Sequence, residues 1–204
     1  MKPRLLDLFC GAGGAGMGYH RAGFEVVGVD LHPQQHYPFE FHQADALTFP
    51  LGDFDAIHAS PPCQAYSEIQ RITQNAHKWP DLLAPIRARL ASQSAPWVIE
   101  NVVGAPLRVD ILLCGSQFGL GMIRHRVFEL SWEFPFGLLP PCDHGGMYDP
   151  WHREGTDQLR QMGKAMGIDW MGRRDEVREA IPPAYTQFIG EQLLQHIGAT
   201  KVTT

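Results

Sequence analysis

The sequence predicts an α/β protein built on an open, mostly parallel β-sheet. Three observations support this prediction. Short apolar runs typical of buried strands recur along the chain. A strand, a glycine-rich turn, a helix and a second strand follow one another at the N-terminus. Near the C-terminus, apolar residues recur at helical spacing behind a proline in the first turn, which predicts a helix that packs on the sheet.

The N-terminal unit has the pattern of a nucleotide-binding fold. Its predicted elements are a strand over residues 5–9, a helix over 14–21 and a strand over 25–30. Gly11, Gly13 and Gly16 match G-x-G-x-x-G, in which glycine lets the backbone approach a ligand closely. Asp30 closes the second strand, where an acid commonly binds ribose hydroxyls. The pattern fits NAD, FAD and S-adenosylmethionine alike, and a turn without a ligand is the alternative.

The next segment is less informative. Residues 32–41 predict a loop or a frayed helix, and a short third strand ends near Asp45. Asp45 could face an adenine from the strand tip or could equally serve as a helix N-cap. His32, His36 and His42 suggest a metal site, but no cysteine completes the set, and we predict none there.

The tetrapeptide PPCQ follows an apolar strand predicted over residues 54–59. Ser60 and two prolines end that strand and stiffen the turn. Cys63 therefore lies at the carboxyl end of a strand, the edge where open α/β sheets bind ligands. A thiol at this edge is placed to act as a nucleophile. The polar residues 65–78 predict a mobile loop over the site.

Residues 65–94, which include a helix predicted over 81–93, carry a local excess of positive charge. The chain as a whole has a net charge of −5, so any contact with phosphate must come from a local basic stretch. Residues 65–94 are the best candidate for such a contact. A solvated helix face is the alternative explanation for Arg87 and Arg89.

Two further strands bring polar groups to the same edge. The apolar residues 97–99 run into Glu100, so its carboxyl group is expected beside the thiol. Alternation over residues 124–130 predicts a strand with Arg124 and Arg126 on one face. Two arginines there could hold an anion or a carbonyl oxygen, and paired surface salt bridges are the alternative.

Residues 135–174 are rich in Gly, Pro, His, Trp and Met and predict a loop-rich insertion rather than a second core. Cys142 and His144, with His152, could supply half of a zinc site, but nothing completes it, and we predict no metal. Cys114 follows an apolar run and is interpreted as a small core residue.

The composition of the chain limits the number of domains and the cellular compartments that we expect. A chain of 204 residues with 44% apolar residues suits one domain, or one domain with a small insertion. Four cysteines without a CxxC pair favour a reducing compartment over a disulfide scaffold. With neither a signal peptide nor an apolar run that could span a membrane, we expect a cytoplasmic protein. No pattern sets the oligomeric state, and a monomer is our expectation.

Taken in order, the motifs resemble those of the DNA cytosine-5 methyltransferases. The similar stretches are DLFCGAGG at residues 7–14, PCQ at 62–64, ENV at 100–102, RHR at 124–126 and the segment from Pro182-Pro183 to Gly190. Each stretch alone is a weak signal, whereas the ordered set is specific. The resemblance covers about residues 4–130 and 180–197.

The resemblance implies a doubly wound, mostly parallel sheet, the Rossmann-like fold of class I S-adenosylmethionine-dependent methyltransferases. It implies a cofactor-binding catalytic domain at residues 1–133, a reduced, loop-rich target-recognition region at 134–179 and a C-terminal helix at 180–204. Met122 stands where the family usually has glutamine, and Glu179-Ala180 stands where it usually has Gly-Asn.

The resemblance also implies an activity: methyl transfer from S-adenosylmethionine to C5 of a flipped-out cytosine in double-stranded DNA. The implied catalytic residues are Cys63 as nucleophile at C6, its thiolate favoured by nearby arginine, Glu100 at N3, Arg126 at O2, and Arg124 for local electrostatics. The implied cofactor contacts are Phe9, Gly11, Gly13, Gly14, Asp30, Asp45 and Pro62. The implied DNA contacts are Gln64, Ser67 and Arg71.

Three other functions remain open from the sequence. Methylation of an RNA cytosine, as in tRNA, would use the same catalytic residues. A catalytically idle module that binds S-adenosylmethionine or DNA would not need them. An NAD-dependent oxidoreductase would explain the glycines but not PPCQ or ENV.

Overall fold

The computed structural model describes residues 1–66, 78–135, 137, 139–147 and 156–202. The strands in these ranges are β1 (Arg4–Leu8), β2 (Glu25–Asp30), β3 (Glu40–Gln43), β4 (Ala56–Ala59), β5 (Trp97–Asn101), β6 (Ile111–Leu113) and β7 (Arg126–Leu130). The α-helices are α1 (Gly14–Ala22), α2 (Leu83–Ala91), α3 (Thr156–Met166), α4 (Arg174–Glu179) and α5 (Pro183–Val202). None of the helices in this described part combines the length and apolar character that a membrane span needs.

All seven strands form one sheet in the order β3-β2-β1-β4-β5-β7-β6. The pairs from β3 through β5 are parallel, and β7 is antiparallel to both of its neighbours. The predicted mostly parallel α/β sheet is therefore confirmed.

The order in which the chain adds strands to the sheet reverses between β1 and β4. From β1 it moves outward through β2 to β3, and then returns to place β4 on the other side of β1. A parallel sheet opens a crevice at such a switch point, outside the carboxyl ends of the strands. The loop after β1 and the PPCQ turn after β4 both border that crevice.

Helices cover both faces of the sheet, as a doubly wound fold requires. Leu5 of β1 packs in a cluster with buried residues of α1 and α5 such as Tyr19 and Ile189. The next residue of β1, Leu6, packs in a second cluster with Ile86 of α2. Successive strand residues point to opposite faces, so one strand contributes to both cores.

Two regions differ from the sequence-based expectation. β7 begins at Arg126, so Arg124 precedes the strand instead of sharing a strand face with Arg126. The region predicted to be loop-rich contains α3 and α4, and their buried residues Met162, Met166 and Val177 form a satellite core with Met122. The sequence there lacks a long periodic stretch because the apolar residues of this small core come from separate short segments.

Candidate active site

The turn that carries Cys63 is fastened to the neighbouring strand. β4 ends at Ala59, and the Asn101 side-chain amide at the end of β5 donates a 2.9 Å hydrogen bond to the Pro61 carbonyl. The Tyr66 N–H donates to the Cys63 carbonyl at 3.0 Å and closes the turn. Pro62 and Gln64, on either side of Cys63, are partly buried as Cys63 itself is. This anchoring places the thiol at the switch-point edge of the sheet.

Glu100 and Arg126 form a buried pair beside this turn. Glu100 is 5% exposed, and its Oε1 lies 2.9 Å from Arg126 Nε. Burial raises the pKa of the Glu100 carboxyl group, although Arg126, Arg124 and a hydrogen bond from Ser60 act to lower it. The carboxyl group therefore holds a proton at a higher pH than a solvated glutamic acid does.

A chain of hydrogen bonds runs from α1 through β4 to Glu100. Tyr19 Oη lies 3.0 Å from His58 Nδ1, and His58 Nε2 lies 2.6 Å from Ser60 Oγ. Burial lowers the pKa of His58 to about 3, so its ring is neutral, with one donor and one acceptor nitrogen. If the Ser60 hydroxyl donates to Glu100, its oxygen accepts from His58 Nε2–H, and Tyr19 donates to Nδ1. This network orients the carboxyl group.

The environment of Cys63 differs from the expectation that arginine favours its thiolate. Burial raises the pKa of the Cys63 thiol, and the charges of Glu100 and Glu179 raise it further. Arg126 lowers it, but by less than burial raises it. The free protein thus keeps this thiol protonated to a higher pH than an ordinary cysteine.

Arg124 has a different position from the one expected. It is buried, and its guanidinium group donates to the carbonyls of Arg178, at 2.8 Å, and Ala180. Its own carbonyl accepts a hydrogen bond from the Tyr185 hydroxyl. Arg124 therefore fastens the α4–α5 junction to the start of β7, and its charge acts on Glu100 through space.

The loop after β1 has the backbone of a ligand cradle. Phe9, Gly11 and Gly13 all have positive φ, at 57°, 48° and 87°. Phe9 is a non-glycine residue in this region, which costs about 1–3 kcal/mol and is typical of functional sites. A Cβ built on Gly11 would meet nothing within 4 Å, so this part of the loop is open to a ligand.

Asp30 holds the glycine loop from the tip of β2. Its Oδ2 accepts from the Gly11 N–H and its Oδ1 from the His32 N–H, both at 3.0 Å. Each carboxylate oxygen has a second lone pair, and the side chain is partly exposed, so hydroxyl donors of a ribose can still bind it. The positive-φ loop and this acid together fit a nucleoside-containing cofactor.

Three other proposed cofactor contacts, Asp45, Gly14 and Gly13, also support the local fold. Asp45 is exposed, and its Oδ1 accepts from the Leu47 N–H at 2.8 Å, so it caps a turn and has its other oxygen available. A Cβ on Gly14 would lie 2.5 Å from the Ile181 carbonyl oxygen, so this glycine permits the close approach of the segment entering α5. A Cβ on Gly13 would contact Pro38 at 2.8 Å.

The arginines of α2 do not form the phosphate-binding patch considered from the sequence. Arg87 donates to the Glu129 carboxylate and to the Pro106 carbonyl. Arg89 donates to the carbonyls of Ala46 and Phe49. Both side chains are used within the fold, because β7 lies beside Arg87 and the loop after β3 lies beside Arg89. Ser67 and Arg71 lie outside the described residues.

Glu179, at the end of α4, is a site residue that sequence reasoning treated only as a departure from the family pattern. Its negative charge acts on Cys63, and Asp30 acts on it in turn. Partial burial, Asp175 and Asp30 raise the pKa of the Glu179 carboxyl group. The Glu179 carboxylate therefore interacts electrostatically both with Asp30, which holds the candidate cofactor loop, and with Cys63, the candidate nucleophile.

Replacing Glu179 with glutamine is expected to lower the pKa of the Cys63 thiol, because a charge that opposes thiolate formation is removed. The rate of iodoacetamide alkylation against pH, followed by mass spectrometry on the Cys63 peptide, measures this. Glu191→Gln, an exposed change on α5, is the matched control and should leave the profile unchanged. An unchanged or raised pKa in Glu179→Gln would contradict the assignment.

Comparisons with known proteins agree on one class. Residues 3–106 match the family model of C-5 cytosine-specific DNA methylase. The chain is 29% identical over 163 residues to Type II methyltransferase M.AgeI of Thalassovita gelatinovora, covering 70% of this chain and 36% of that protein. It is 26% identical over 164 residues to Type II methyltransferase M.HgiDI of Herpetosiphon aurantiacus, covering 63% of this chain and 52% of that protein. The chain thus spans about a third to a half of the length of these two relatives.

Among solved structures, the S. pombe Dnmt2 methyltransferase has a TM-score of 0.64 at 14% sequence identity, and the match covers 96% of this chain and 99% of that one. At this identity the likeness concerns the fold. It agrees with the seven-stranded, mostly parallel sheet described above.

Proposed function

Since the chain belongs to the C-5 cytosine-specific DNA methylase family, we propose that it transfers a methyl group from S-adenosylmethionine to C5 of cytosine in DNA. The observation that supports this most directly is the convergence of Cys63, Glu100 and Arg126 at one sheet edge. A nucleophile, a carboxyl group with a raised pKa and a fixed cation are the groups that this reaction needs.

Cytosine C5 is a poor nucleophile until C6 is bonded to an electron donor. The Cys63 sulfur adds to C6, and the displaced electrons develop negative charge toward N3 and O2. Glu100, whose carboxyl group is easier to protonate because burial raises its pKa, donates to N3. Arg126 holds O2 and opposes the growing charge. After C5 has gained the methyl group, loss of the C5 proton and departure of the Cys63 sulfur restore the ring.

S-Adenosylmethionine, when bound, supplies an electrophilic methyl group. The residues that would hold it border the crevice beside β1 and β2. Phe9 and Gly11 present the open loop, Asp30 takes the ribose hydroxyls, and the free oxygen of Asp45 is available to the adenine. We propose that Gly13, Gly14 and Pro62 shape the wall of this crevice. We propose that Glu179 lies beside the positively charged part of the cofactor.

A base inside a stacked duplex cannot reach Cys63, so the target cytosine must flip out. We assign Gln64, beside Cys63, and Ser67 and Arg71 beyond it to the DNA that flanks the flipped base. Residues 134–179 are proposed as a reduced recognition region, within a division of the chain into residues 1–133, 134–179 and 180–204.

A basic groove in that region is our candidate for contact with the DNA backbone. Arg160, Lys164, Arg173 and Arg174 line it and are exposed, whereas Asp169 is the acid in its lining and Asp175 pairs with Arg173 at 2.8 Å. α4 runs from this groove to the active-site Glu179, a distance of about 8 Å along the helix axis. Phosphates next to a flipped nucleotide would therefore fall within reach of these side chains.

The double variant Lys164→Ala/Arg174→Ala is expected to weaken DNA binding at all sequences, because phosphate contacts carry no sequence information. The slope of log affinity against log salt should decrease by about 2, or roughly 0.9 per lost phosphate contact. Fluorescence anisotropy with a labelled duplex measures both quantities. Lys2→Ala, an exposed lysine outside the groove, is the control. An unchanged salt slope in the double variant would rule out the groove.

Bisulfite sequencing of DNA from cells that express the chain tests the activity itself. We expect protected cytosines within a consensus site in cells with the wild-type chain and none in cells with Cys63→Ser. Transfer of labelled methyl groups to tRNA but not to duplex DNA in vitro would contradict the proposal and favour RNA methylation. Binding of S-adenosylmethionine without transfer to either would favour an idle module.

A further inference from the structure

A second cluster of reactive side chains lies outside the candidate active site. Cys114, His125, Cys142 and His144 each offer one potential ligand atom, and these four atoms all lie within 4.8 Å of one another. Cys114 Sγ is 3.4 Å from His144 Nε2, and Cys142 Sγ is 3.8 Å from His125 Nε2. The two imidazole rings lie edge to face, with centroids 5.0 Å apart.

We propose that these four residues bind one zinc ion in a tetrahedral Cys2His2 site. Zinc–sulfur bonds of about 2.3 Å and zinc–nitrogen bonds of about 2.05 Å, at the tetrahedral angle, place sulfur and nitrogen about 3.6 Å apart. The two sulfur–nitrogen distances in the structure lie on either side of this value. All four ligand atoms also lie within 4.8 Å of one another, as the ligands of a single ion must.

The donor set indicates which metal binds and what it does there. Binding releases the two thiol protons, and the resulting thiolates balance the double positive charge of zinc. Thiolate and imidazole ligands favour zinc over magnesium or calcium, which prefer oxygen. Four protein ligands leave no position for water or substrate, which is typical of a structural site rather than a catalytic one.

The ligands come from three separate parts of the chain that the fold brings together. Cys114 follows β6, and His125 immediately precedes β7, the strand paired with β6. Gln117 accepts a hydrogen bond from the Cys114 N–H and donates one to the Pro140 carbonyl, both at 2.8 Å. This one side chain therefore holds the segment that carries Cys142 and His144 against the end of β6.

The zinc would fasten residues 139–147 of the proposed recognition region to the sheet. These residues contain no helix or strand, and they are held by the Gln117 bridge, by local turns and by Leu139, which packs against a core cluster. His125 also lies between Arg124 and Arg126, and the Arg126 guanidinium donates to the His125 carbonyl at 2.9 Å. The site thus couples the anchoring of this loop to the residue proposed to hold cytosine O2.

Metal content of the purified chain tests the site directly. The protein is reconstituted with zinc, dialysed and analysed by inductively coupled plasma mass spectrometry, and we expect about one zinc per chain. Cys142→Ser and His144→Ala, at ligands near the surface, should each bind zinc at least about 100-fold more weakly. Cys63→Ser and His42→Ala are the matched controls and should retain the full equivalent.

Cobalt provides a second readout that does not depend on activity. The cobalt-reconstituted wild-type chain should show the strong visible absorption of a tetrahedral thiolate complex, and Cys142→Ser should lose most of its sulfur-to-metal charge-transfer intensity. Circular dichroism establishes that the variants are folded. A wild-type chain that binds neither metal after reconstitution, or a double variant Cys142→Ser/His144→Ala that keeps the full equivalent, would overturn the proposal. A disulfide between Cys114 and Cys142 in the protein as isolated would overturn it as well.

Discussion

Replacement of Cys63 by serine is expected to reduce the rate of methyl transfer by roughly 10⁴- to 10⁶-fold, the scale seen when a covalent nucleophile is removed. A serine hydroxyl is far more basic than a thiol when deprotonated, and no histidine general base pairs with position 63 among the described residues. Incorporation of labelled methyl groups into duplex DNA measures the loss. Cofactor binding, followed by calorimetry, should be unchanged because the glycine loop and Asp30 do not depend on the thiol.

The matched change Cys114→Ser separates the chemistry of a thiol from its position. Cys114 is buried outside the candidate active site, so its loss is expected to affect metal binding and stability more than the chemical step. A duplex with 5-fluorocytosine at the target position should trap the wild-type chain, since fluorine cannot leave C5 as a proton does. Mass spectrometry should then locate the adduct on Cys63. Full activity in Cys63→Ser, or an adduct on Cys10, would contradict the mechanism.

The sheet and the motif positions could be predicted from the sequence because both depend on local patterns. Apolar runs of four to six residues mark strands whether or not their neighbours are known, and an ordered set of motifs restricts the fold strongly. Cys63, Glu100 and Asp30 were expected at strand ends, and the structure places all three there. Strand ends share one edge in a parallel sheet, so proximity followed from secondary structure alone.

Properties that depend on distant neighbours could not be predicted. The pKa of Cys63 rises because burial outweighs Arg126, and burial of one atom cannot be read from sequence. Arg87 and Arg89 resemble surface cations in the sequence, and only the fold shows that their partners lie on β7 and in the loop after β3. The Cys2His2 cluster has no CxxC spacing, because β6 and β7 bring its residues together through strand pairing. The Cys142-x-His144 spacing was the only local signal, and His152, the other residue considered with it, lies outside the described residues.

Glu100→Gln is expected to lower kcat by about 10²- to 10⁴-fold, the usual contribution of a general acid or base. Glutamine preserves the shape of the side chain and can still donate a hydrogen bond to N3, but it cannot transfer a proton. Because Glu100→Gln removes one partner of the buried pair with Arg126, it should also lower the free energy of unfolding, by up to about 3–5 kcal/mol. Single-turnover methyl transfer and urea unfolding measure the two quantities.

Glu129→Gln is the matched control for a buried glutamate in the same sheet. Glu129 accepts hydrogen bonds from Arg87 and from the Arg108 N–H, on the side of β7 away from the Cys63 turn. Its replacement should cost about 1–3 kcal/mol of stability and leave kcat within a few-fold of wild type. If Glu129→Gln lowered kcat as far as Glu100→Gln, the effect of the latter would be structural.

The pH dependence of Glu100→Gln distinguishes proton donation from mere positioning. The active wild-type form has a Cys63 thiolate and a protonated Glu100, with ordinary pKa values of about 8.5 and 4.3, both raised by burial. Below the Glu100 pKa, kcat/KM rises with pH as thiolate forms. Between the two pKa values kcat/KM is flat, because the fraction of Cys63 thiolate rises as fast as the fraction of protonated Glu100 falls. Above the Cys63 pKa, kcat/KM falls with pH. Glutamine cannot lose its proton, so kcat/KM of the variant should keep rising where the wild type is flat, until Cys63 has ionised. A variant with the wild-type plateau would show that Glu100 does not donate the proton.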